Sequence, residues 1–282
     1  MSLKDFKRGL PQFCTITPVQ YLEDYATQSS VHLVLAHIVD KDPVYADFYL
    51  GMSERGDRII MDNGAFELGE SYAPDKLIEL GHRCGADAIV LPDYPNQDPF
   101  KTIDAAMKLA PSVKSEGFKA MFAPQAKIGD LDGWIESYTW AADSDLIDII
   151  GMSILAIPNA LPLIPKSYAR VVMTELLHDR DIFAEHKFHH YLGLNAAPNV
   201  EIPSLILTNS LDSCDSSNPV WAGINGHQYN TVADSFLPIS KKYLREVDFD
   251  YEWVDKDHIH DMIQYNLNIT FDIFKNPLKY KN

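Results

Sequence analysis

Several polar residues of this chain directly follow short apolar runs. These residues include Asp62, Asp93, Gln125, Asp212 and Asp215. Carboxylates that share one cavity repel each other, and this energetic cost usually indicates catalysis or a bound metal ion. The pattern therefore predicts a carboxylate-rich site whose aspartates transfer protons, attack a substrate or bind a metal.

Each residue also has a structural interpretation. Asp93 either serves the site or caps the next helix, although Asp98 competes for that capping position. Asp212 and Asp215 both fit turn positions. Gln125 is also suited to bonding exposed backbone groups at the end of a strand. The sequence leaves these alternatives open.

The apolar runs indicate which elements carry these residues. Eight runs, most of them non-alternating as in buried parallel strands, lie at 13–17, 32–39, 58–61, 88–91, 119–124, 147–152, 189–194 and 205–208. Helical spacing occurs between several of them, at 18–28, 74–84, 99–113, 131–142 and 167–184. This alternation predicts a (β/α)8 TIM barrel, in which polar residues after the strands converge on one mouth. The gap after the seventh run is short, so a reduced or missing helix is expected there.

One domain with an appendage is predicted. No repeat or linker divides the 282 residues. Residues 1–247 are expected to form the barrel and residues 248–282 a C-terminal helical extension packed on it. The apolar face of this extension consists of Ile259, Met262, Ile263, Leu267 and Phe271.

Composition narrows the class of protein. No apolar run reaches the roughly 18 residues of a membrane helix, and the N-terminus lacks the apolar core of a signal peptide, so a cytoplasmic protein without membrane partners is expected. Three cysteines are too few for a disulfide framework or a four-cysteine zinc site. The net charge of −16, from 24 basic and 40 acidic residues, argues against nonspecific nucleic-acid binding.

Taken together, the motifs resemble the queuine/archaeosine tRNA-guanine transglycosylase family over about residues 59–226. The loop DNGAF at 62–66 is similar to the family's DSGG(Y/F) or DSGSF, and HYLG at 190–193 is similar to HYLMG. The segment DSSNPVWAGING at 215–226 is similar to the nucleophile segment DCVLPTRNARNG, with the same spacing from Asp to Gly.

The resemblance implies roles for individual residues. Asp215, rather than Asp212, is the implied nucleophile at a nucleoside C1′, and Asp62 the acid/base, as in retaining glycosidases. Repulsion within the cluster is expected to raise the pKa of Asp62. The substrate-binding set comprises Asp93, Gln125 and Gly151 on the polar edges of the base, Phe66 and Leu192 on its faces, and Gly193 and Asp212.

The implied activity is that of a pentosyltransferase that replaces guanine in a polynucleotide with a 7-deazaguanine. The family's cysteine-rich zinc motif is missing, since the last cysteine is Cys214. The chain is therefore most similar to compact, zinc-free phage-type DNA transglycosylases. No metal or cofactor is expected, DNA is preferred over tRNA, a homodimer is possible, and a phage-encoded protein would act in the host cytoplasm.

Two other functions remain open. One is a TIM-barrel lyase or hydrolase that acts on a small molecule through an aspartate pair and a metal. The other is a catalytically silent partner subunit, against which the retention of Asp62 and Asp215 argues.

Overall fold

Eight parallel strands alternate with helices in the computed structural model, which describes residues 6–194, 197–231, 248–250 and 256–280. The strands are β1 Gln12–Thr15, β2 Val31–Val34, β3 Arg58–Met61, β4 Ala88–Val90, β5 Lys119–Phe122, β6 Ile149–Gly151, β7 Phe188–Tyr191 and β8 Ser213–Ser216. The helices are α1 Leu22–Tyr25, α2 Ala36–Lys41, α3 Pro43–Arg55, α4 Ala65–Leu68, α5 Pro74–Arg83, α6 Pro99–Ser115, α7 Leu131–Asp143, α8 Ala156–Ala160, α9 Lys166–Asp179, α10 Pro198–Leu207, α11 Asn218–Ile224 and α12 Lys256–Lys275. Short 3-10 turns lie at Val19–Tyr21, Ala26–Gln28 and Pro277–Lys279.

The strands form a nearly closed barrel. Backbone hydrogen bonds join consecutive strands from β2 to β8, and β8 then pairs with β1. Side chains connect β1 to β2: Leu33 donates its N–H to the Cys14 Sγ, and Ser30 donates its hydroxyl to the Gln12 side chain at 2.6 Å. The predicted (β/α)8 TIM barrel is therefore confirmed, and its mouth is the ring formed by the carboxyl ends of the strands.

The helices begin where the sequence provides caps. Asp42, Asp98 and Asp130 accept backbone N–H bonds in the first turns of α3, α6 and α7. Proline at the start of α3 and α6 supplies a backbone angle already suited to a helix. Because Asp98 caps α6, the preceding Asp93 is left for another role.

The C-terminal helix α12 packs on the barrel against β1, α10 and α11. Ile263 and Leu267 of its predicted apolar face are fully buried. The buried Asn266 donates to the carbonyls of Pro219 and His227. The helix and its apolar face are confirmed, whereas the division of the chain at residue 247 stays a prediction. Among the described residues, no helix is both long and apolar enough to cross a membrane.

The end of the barrel differs from the sequence prediction. Residues 205–208, predicted as the eighth strand, mostly belong to α10, and β8 is Ser213–Ser216 instead. The expected reduction of the helix after the seventh strand is therefore wrong. The apolar run was misassigned because it is the last turn of an apolar helix, in which Leu205 is buried and Leu207 is exposed, whereas the true strand consists of small and polar residues.

Candidate active site

Polar side chains from five of the eight strands meet at the mouth of the barrel. Asp62, Asp93 and Gln125 lie just beyond the ends of β3, β4 and β5, while His190 and Asp215 lie in β7 and β8. All five strands are parallel, so their carboxyl ends face the same side. The structure thus gathers the glutamine and three of the four aspartates that the sequence singled out.

Asp93 is held by two side-chain amides. Its Oδ1 accepts a hydrogen bond from Asn63 Nδ2 at 2.9 Å, and its Oδ2 accepts one from Gln125 Nε2 at 2.6 Å. Asn63 Nδ2 also donates to the Leu91 carbonyl, which fixes the amide in place. Burial raises the pKa of Asp93, and the two amide bonds partly offset this shift. The carboxyl group is anchored in one orientation, with its remaining lone pairs available to a ligand.

Asp215 is held through a single oxygen. Its Oδ1 accepts the Gly193 N–H and a bond from His190 Nε2, both at 3.0 Å. The other ring nitrogen of His190 lies 2.7 Å from Ser213 Oγ. The His190 ring thus bridges Ser213 and Asp215 and fixes the position of this carboxyl oxygen. The Asp215 Oδ2 bonds to none of the described residues, so this oxygen is the one available to a substrate.

Asp62 is held by the turn that follows it. Its Oδ2 accepts the Gly64 N–H at 2.8 Å in a tight turn, which Gly64 permits by adopting φ of +80°. Burial raises the pKa of Asp62 to about 6, and the charges of Asp93 and Asp215 add to the rise. The predicted direction of the shift is confirmed, although burial rather than repulsion is its main cause.

Two glycines shape the opposite side of the mouth. A Cβ on Gly151 would lie 2.7 Å from Met121 Cε and 3.1 Å from Leu192 Cδ1, so the half-buried Leu192 packs directly over this glycine. Gly193 adopts φ of +76°, and its N–H points to Asp215. Phe66 belongs to α4, but its side chain lies outside the described part of the structure. The binding roles of these residues stay predictions.

Asp212 does not join the site. It precedes β8 and accepts the His189 N–H at 2.8 Å and the Arg8 Nε at 3.1 Å. Three residues of strand separate it from Asp215, roughly 10 Å along the barrel axis. The structure does not bring Asp212 together with the other predicted binding residues. Asp212 instead connects the N-terminal segment to the end of the barrel opposite the mouth, here called the closed end.

The sequence analysis assigned no role to Asn63 or His190. Asn63 lies between the catalytic candidate Asp62 and the turn glycine, and its amide orients Asp93. His190 is one of two consecutive histidines inside a buried strand, an unusual position for a polar ring. That burial was the available signal. Within the part of the chain that the structure describes, no group of three or more His, Cys, Asp or Glu side chains is arranged to hold a metal ion.

Comparison with known proteins gives no family. No protein-family model matches the chain, and no curated protein matches it. Among solved structures, N-acetylneuraminate lyase from Fusobacterium nucleatum is similar at 12% identity and a TM-score of 0.45, covering 76% of this chain and 71% of that one. CdNal from Clostridium difficile, solved in complex with mannosamine, is similar at 11% identity, with the same coverage and TM-score.

These comparisons correct the resemblance to the transglycosylases. No family model or curated protein of that kind matches, and the similar structures named above are a lyase and a sugar complex. The assignments to that family, to base exchange and to pentosyltransferase activity are therefore wrong, as are a purine base, DNA and tRNA as partners. The motifs misled because every TIM barrel places short polar and glycine-rich turns after its strands. Similarity at this level shows neither the activity nor the substrate of this chain.

Proposed function

We propose that this barrel is a lyase or hydrolase that cleaves a C–O or C–N bond of a small, hydroxyl- or amine-rich molecule by acid catalysis. The observation that carries the proposal is Asp62, whose pKa is raised to about 6 beside two anchored carboxyl groups. A buried carboxyl group whose pKa is raised in a cluster of carboxyl groups is typical of acid–base catalysis.

Asp62 is the proton donor. With a pKa near 6, roughly one-tenth of the groups carry a proton at pH 7, and proton transfer is efficient when the pKa lies near the working pH. Protonation of the leaving oxygen or nitrogen weakens its bond to carbon. The same group accepts a proton later in the cycle and so returns to its starting state.

Asp215 supplies a fixed negative charge. Departure of a protonated leaving group leaves positive charge on carbon, which the free Oδ2 of Asp215 stabilises. His190 and the Gly193 N–H already occupy Oδ1, so the carboxylate needs no rearrangement when the charge develops. Capture of the cation by water makes the reaction a hydrolysis, whereas loss of a proton makes it an elimination.

Asp93 recognises donors on the substrate. Its two oxygens are oriented by Asn63 and Gln125, which leaves hydrogen-bond acceptors directed at the ligand. Together with Asp215, it gives the site several acceptors, a match for a polyol, sugar or amino compound. The Asp215 side chain is only 7% exposed, which favours a small molecule over a bulky one.

A substrate screen in water labelled with oxygen-18 tests this proposal. Pools of sugars, glycosylamines, amino sugars and hydroxy acids are incubated with the protein, and products are followed by mass spectrometry. We expect consumption of at least one compound, with label in the product only if water attacks. The rate should fall as pH rises through about 6, because the acid form of Asp62 is lost.

Variants make the test specific. Asp62→Asn and Asp215→Asn should each slow turnover by about 100-fold or more, as expected for loss of a proton donor or of an electrostatic partner. Asp212→Asn, just before the strand that carries Asp215, is the matched control and should turn substrate over at the wild-type rate. Turnover that survives in Asp62→Asn would refute the assignment.

We also propose that the protein works in the cytoplasm. Its three cysteines, Cys14, Cys84 and Cys214, are all free and buried, which fits a reducing compartment. Accessibility to protease in fractionated cells tests this location.

A further inference from the structure

A buried ion pair lies behind the candidate site. Arg170 of α9 and Glu201 of α10 have side chains that are 1% and 0% exposed. Arg170 Nε and Nη2 each donate to one Glu201 oxygen, both at 2.6 Å, in the two-bond geometry that guanidinium and carboxylate favour. Neither residue carries a role in the proposed reaction.

The remaining donors of Arg170 reach the barrel mouth. Its Nη1 donates to the carbonyls of Met152 and Leu192, both at 3.1 Å, and its Nη2 donates to the Gly193 carbonyl at 2.7 Å. All five N–H donors of the guanidinium are thus used. The three carbonyls lie just after β6 and β7, so one side chain binds the ends of two adjacent strands.

One of these contacts leads to Asp215. The Leu192 carbonyl and the Gly193 N–H belong to the same planar peptide unit. Arg170 binds the carbonyl of this unit, and Asp215 Oδ1 accepts its N–H at 3.0 Å. The Leu192 carbonyl also accepts the Ile154 N–H at 3.1 Å, so Arg170 is one of two donors that orient the peptide holding Asp215.

Stability alone does not account for the pair. Replacement of a buried ion pair by apolar residues of similar volume is often neutral or stabilising, because removing two charges from water is costly. Here the cost is combined with bonds to three carbonyls at the mouth. That combination is suited to holding backbone atoms in place.

We propose that Arg170, fixed by Glu201, is a positioning residue that directs the Gly193 N–H at Asp215. The expected effect on catalysis rests on the proposed function. The expected effect on the Gly193 amide rests on the contacts alone. Without the pair, the Leu192 carbonyl keeps only the Ile154 N–H, at 3.1 Å, and the Gly193 carbonyl loses its Arg170 donor. The peptide that anchors Asp215 is then held less tightly.

The test compares the wild type with Arg170→Met/Glu201→Leu, which removes both charges at similar volume. Hydrogen exchange followed by NMR should show the Gly193 amide exchanging about tenfold faster, while the amides of Ile149 and Ile150 in β6 stay protected. Arg8→Met is the matched control, since it removes a guanidinium from Asp212 at the closed end of the barrel. It should leave the Gly193 amide unchanged.

Kinetics on any substrate found by the screen give a second readout. Misplacement of Asp215 should lower kcat by about tenfold or more with KM nearly unchanged. Arg170→Lys keeps the charge but offers fewer donors, and it should show the same changes to a smaller extent. It also serves as the second variant if the double variant does not fold.

Each outcome either supports or overturns the positioning role of Arg170. An unchanged Gly193 amide, or acceleration shared equally by Gly193 and the β6 amides, overturns the positioning role, as does failure of both variants to fold. A wild-type kcat in a variant whose Gly193 amide is released refutes the catalytic consequence. Local release of Gly193 in a protein that turns over no compound upholds the structural inference while the proposed function fails.

Discussion

Replacement of Asp62 by asparagine tests whether the raised pKa of this carboxyl group lowers the stability of the folded protein. In the unfolded chain Asp62 ionises near its ordinary pKa of 3.8, whereas in the folded protein the pKa is about 6. Between these values unfolding releases a proton, so the free energy of unfolding falls as pH rises. Asparagine has nearly the same shape and carries no charge at any pH.

The size of the effect follows from the shift. A difference of about two pKa units, at 1.36 kcal/mol per unit, corresponds to about 3 kcal/mol in the free energy of unfolding. Roughly half of this cost is already present at pH 5, and the whole of it by about pH 8. Asp62→Asn should therefore be more stable than wild type, by about 1.5 kcal/mol at pH 5 and about 3 kcal/mol at pH 8. The same substitution should slow turnover by about 100-fold or more, a trade of activity for stability that is common at active sites.

Urea unfolding at pH 5, 6, 7 and 8, followed by circular dichroism, measures these differences. Asp98→Asn is the control with the opposite sign. The bond from Lys127 lowers the pKa of Asp98, so its ionised form stabilises the fold above the unfolded pKa, and this contribution is lost as pH falls. Asp98→Asn should thus be less stable than wild type at neutral pH. Parallel curves for wild type and Asp62→Asn from pH 5 to pH 8 would show that burial does not shift the pKa of Asp62.

Three further substitutions probe the rest of the structure. Gln125→Leu removes the 2.6 Å hydrogen bond to Asp93, so the free energy of unfolding should fall by about 1–3 kcal/mol. The loss should be larger at pH 8 than at pH 5, because the ionised form of the buried Asp93 depends more on this bond. Urea unfolding at both pH values measures the difference. Gly223→Ala places a Cβ 2.5 Å from Ile263 Cγ1 and 2.8 Å from the Ile263 backbone nitrogen, so α11 and α12 must separate. The free energy of unfolding should fall by about 2–3 kcal/mol, seen as a lower Tm in a thermal melt. An unchanged Tm would mean that α12 adjusts freely. Asp212→Ala leaves the buried His189 N–H without its acceptor, so the free energy of unfolding should fall by about 1–3 kcal/mol while the kinetics stay those of the wild type. Loss of activity with no loss of stability would instead place Asp212 in the site.

Local sequence signals determined most of the barrel. The run Arg58–Met61 was predicted as a strand with the observed bounds, because its interior residues are apolar and flanked by turn residues. Asp98 and Asp130, just before predicted helices, act as their caps. From these elements the positions of Asp62 and Asp93 at the mouth followed without any contact information.

The last strand was beyond the reach of such signals. Ser213–Ser216 contains no apolar run, and it is a strand because its backbone pairs with β1 and β7 on either side. Residues 205–207 are apolar but form the last turn of α10, in which only Leu205 is fully buried. Periodicity cannot separate a short buried strand from a buried turn of helix, so only the pairing of distant segments resolved the two.

The partners of the site residues were decided by tertiary structure alone. Asp212 and Asp215 are three residues apart, yet one meets Arg8 at the closed end and the other meets His190 at the mouth. Arg170 contacts Glu201 and Gly193 across three separate elements. The pKa of Asp62 likewise reflects burial by segments far away in the chain. Hydrophobic periodicity and capping involve a few neighbouring residues and can therefore be predicted from the sequence. Hydrogen-bond partners and desolvation depend instead on which strands become neighbours when the barrel closes.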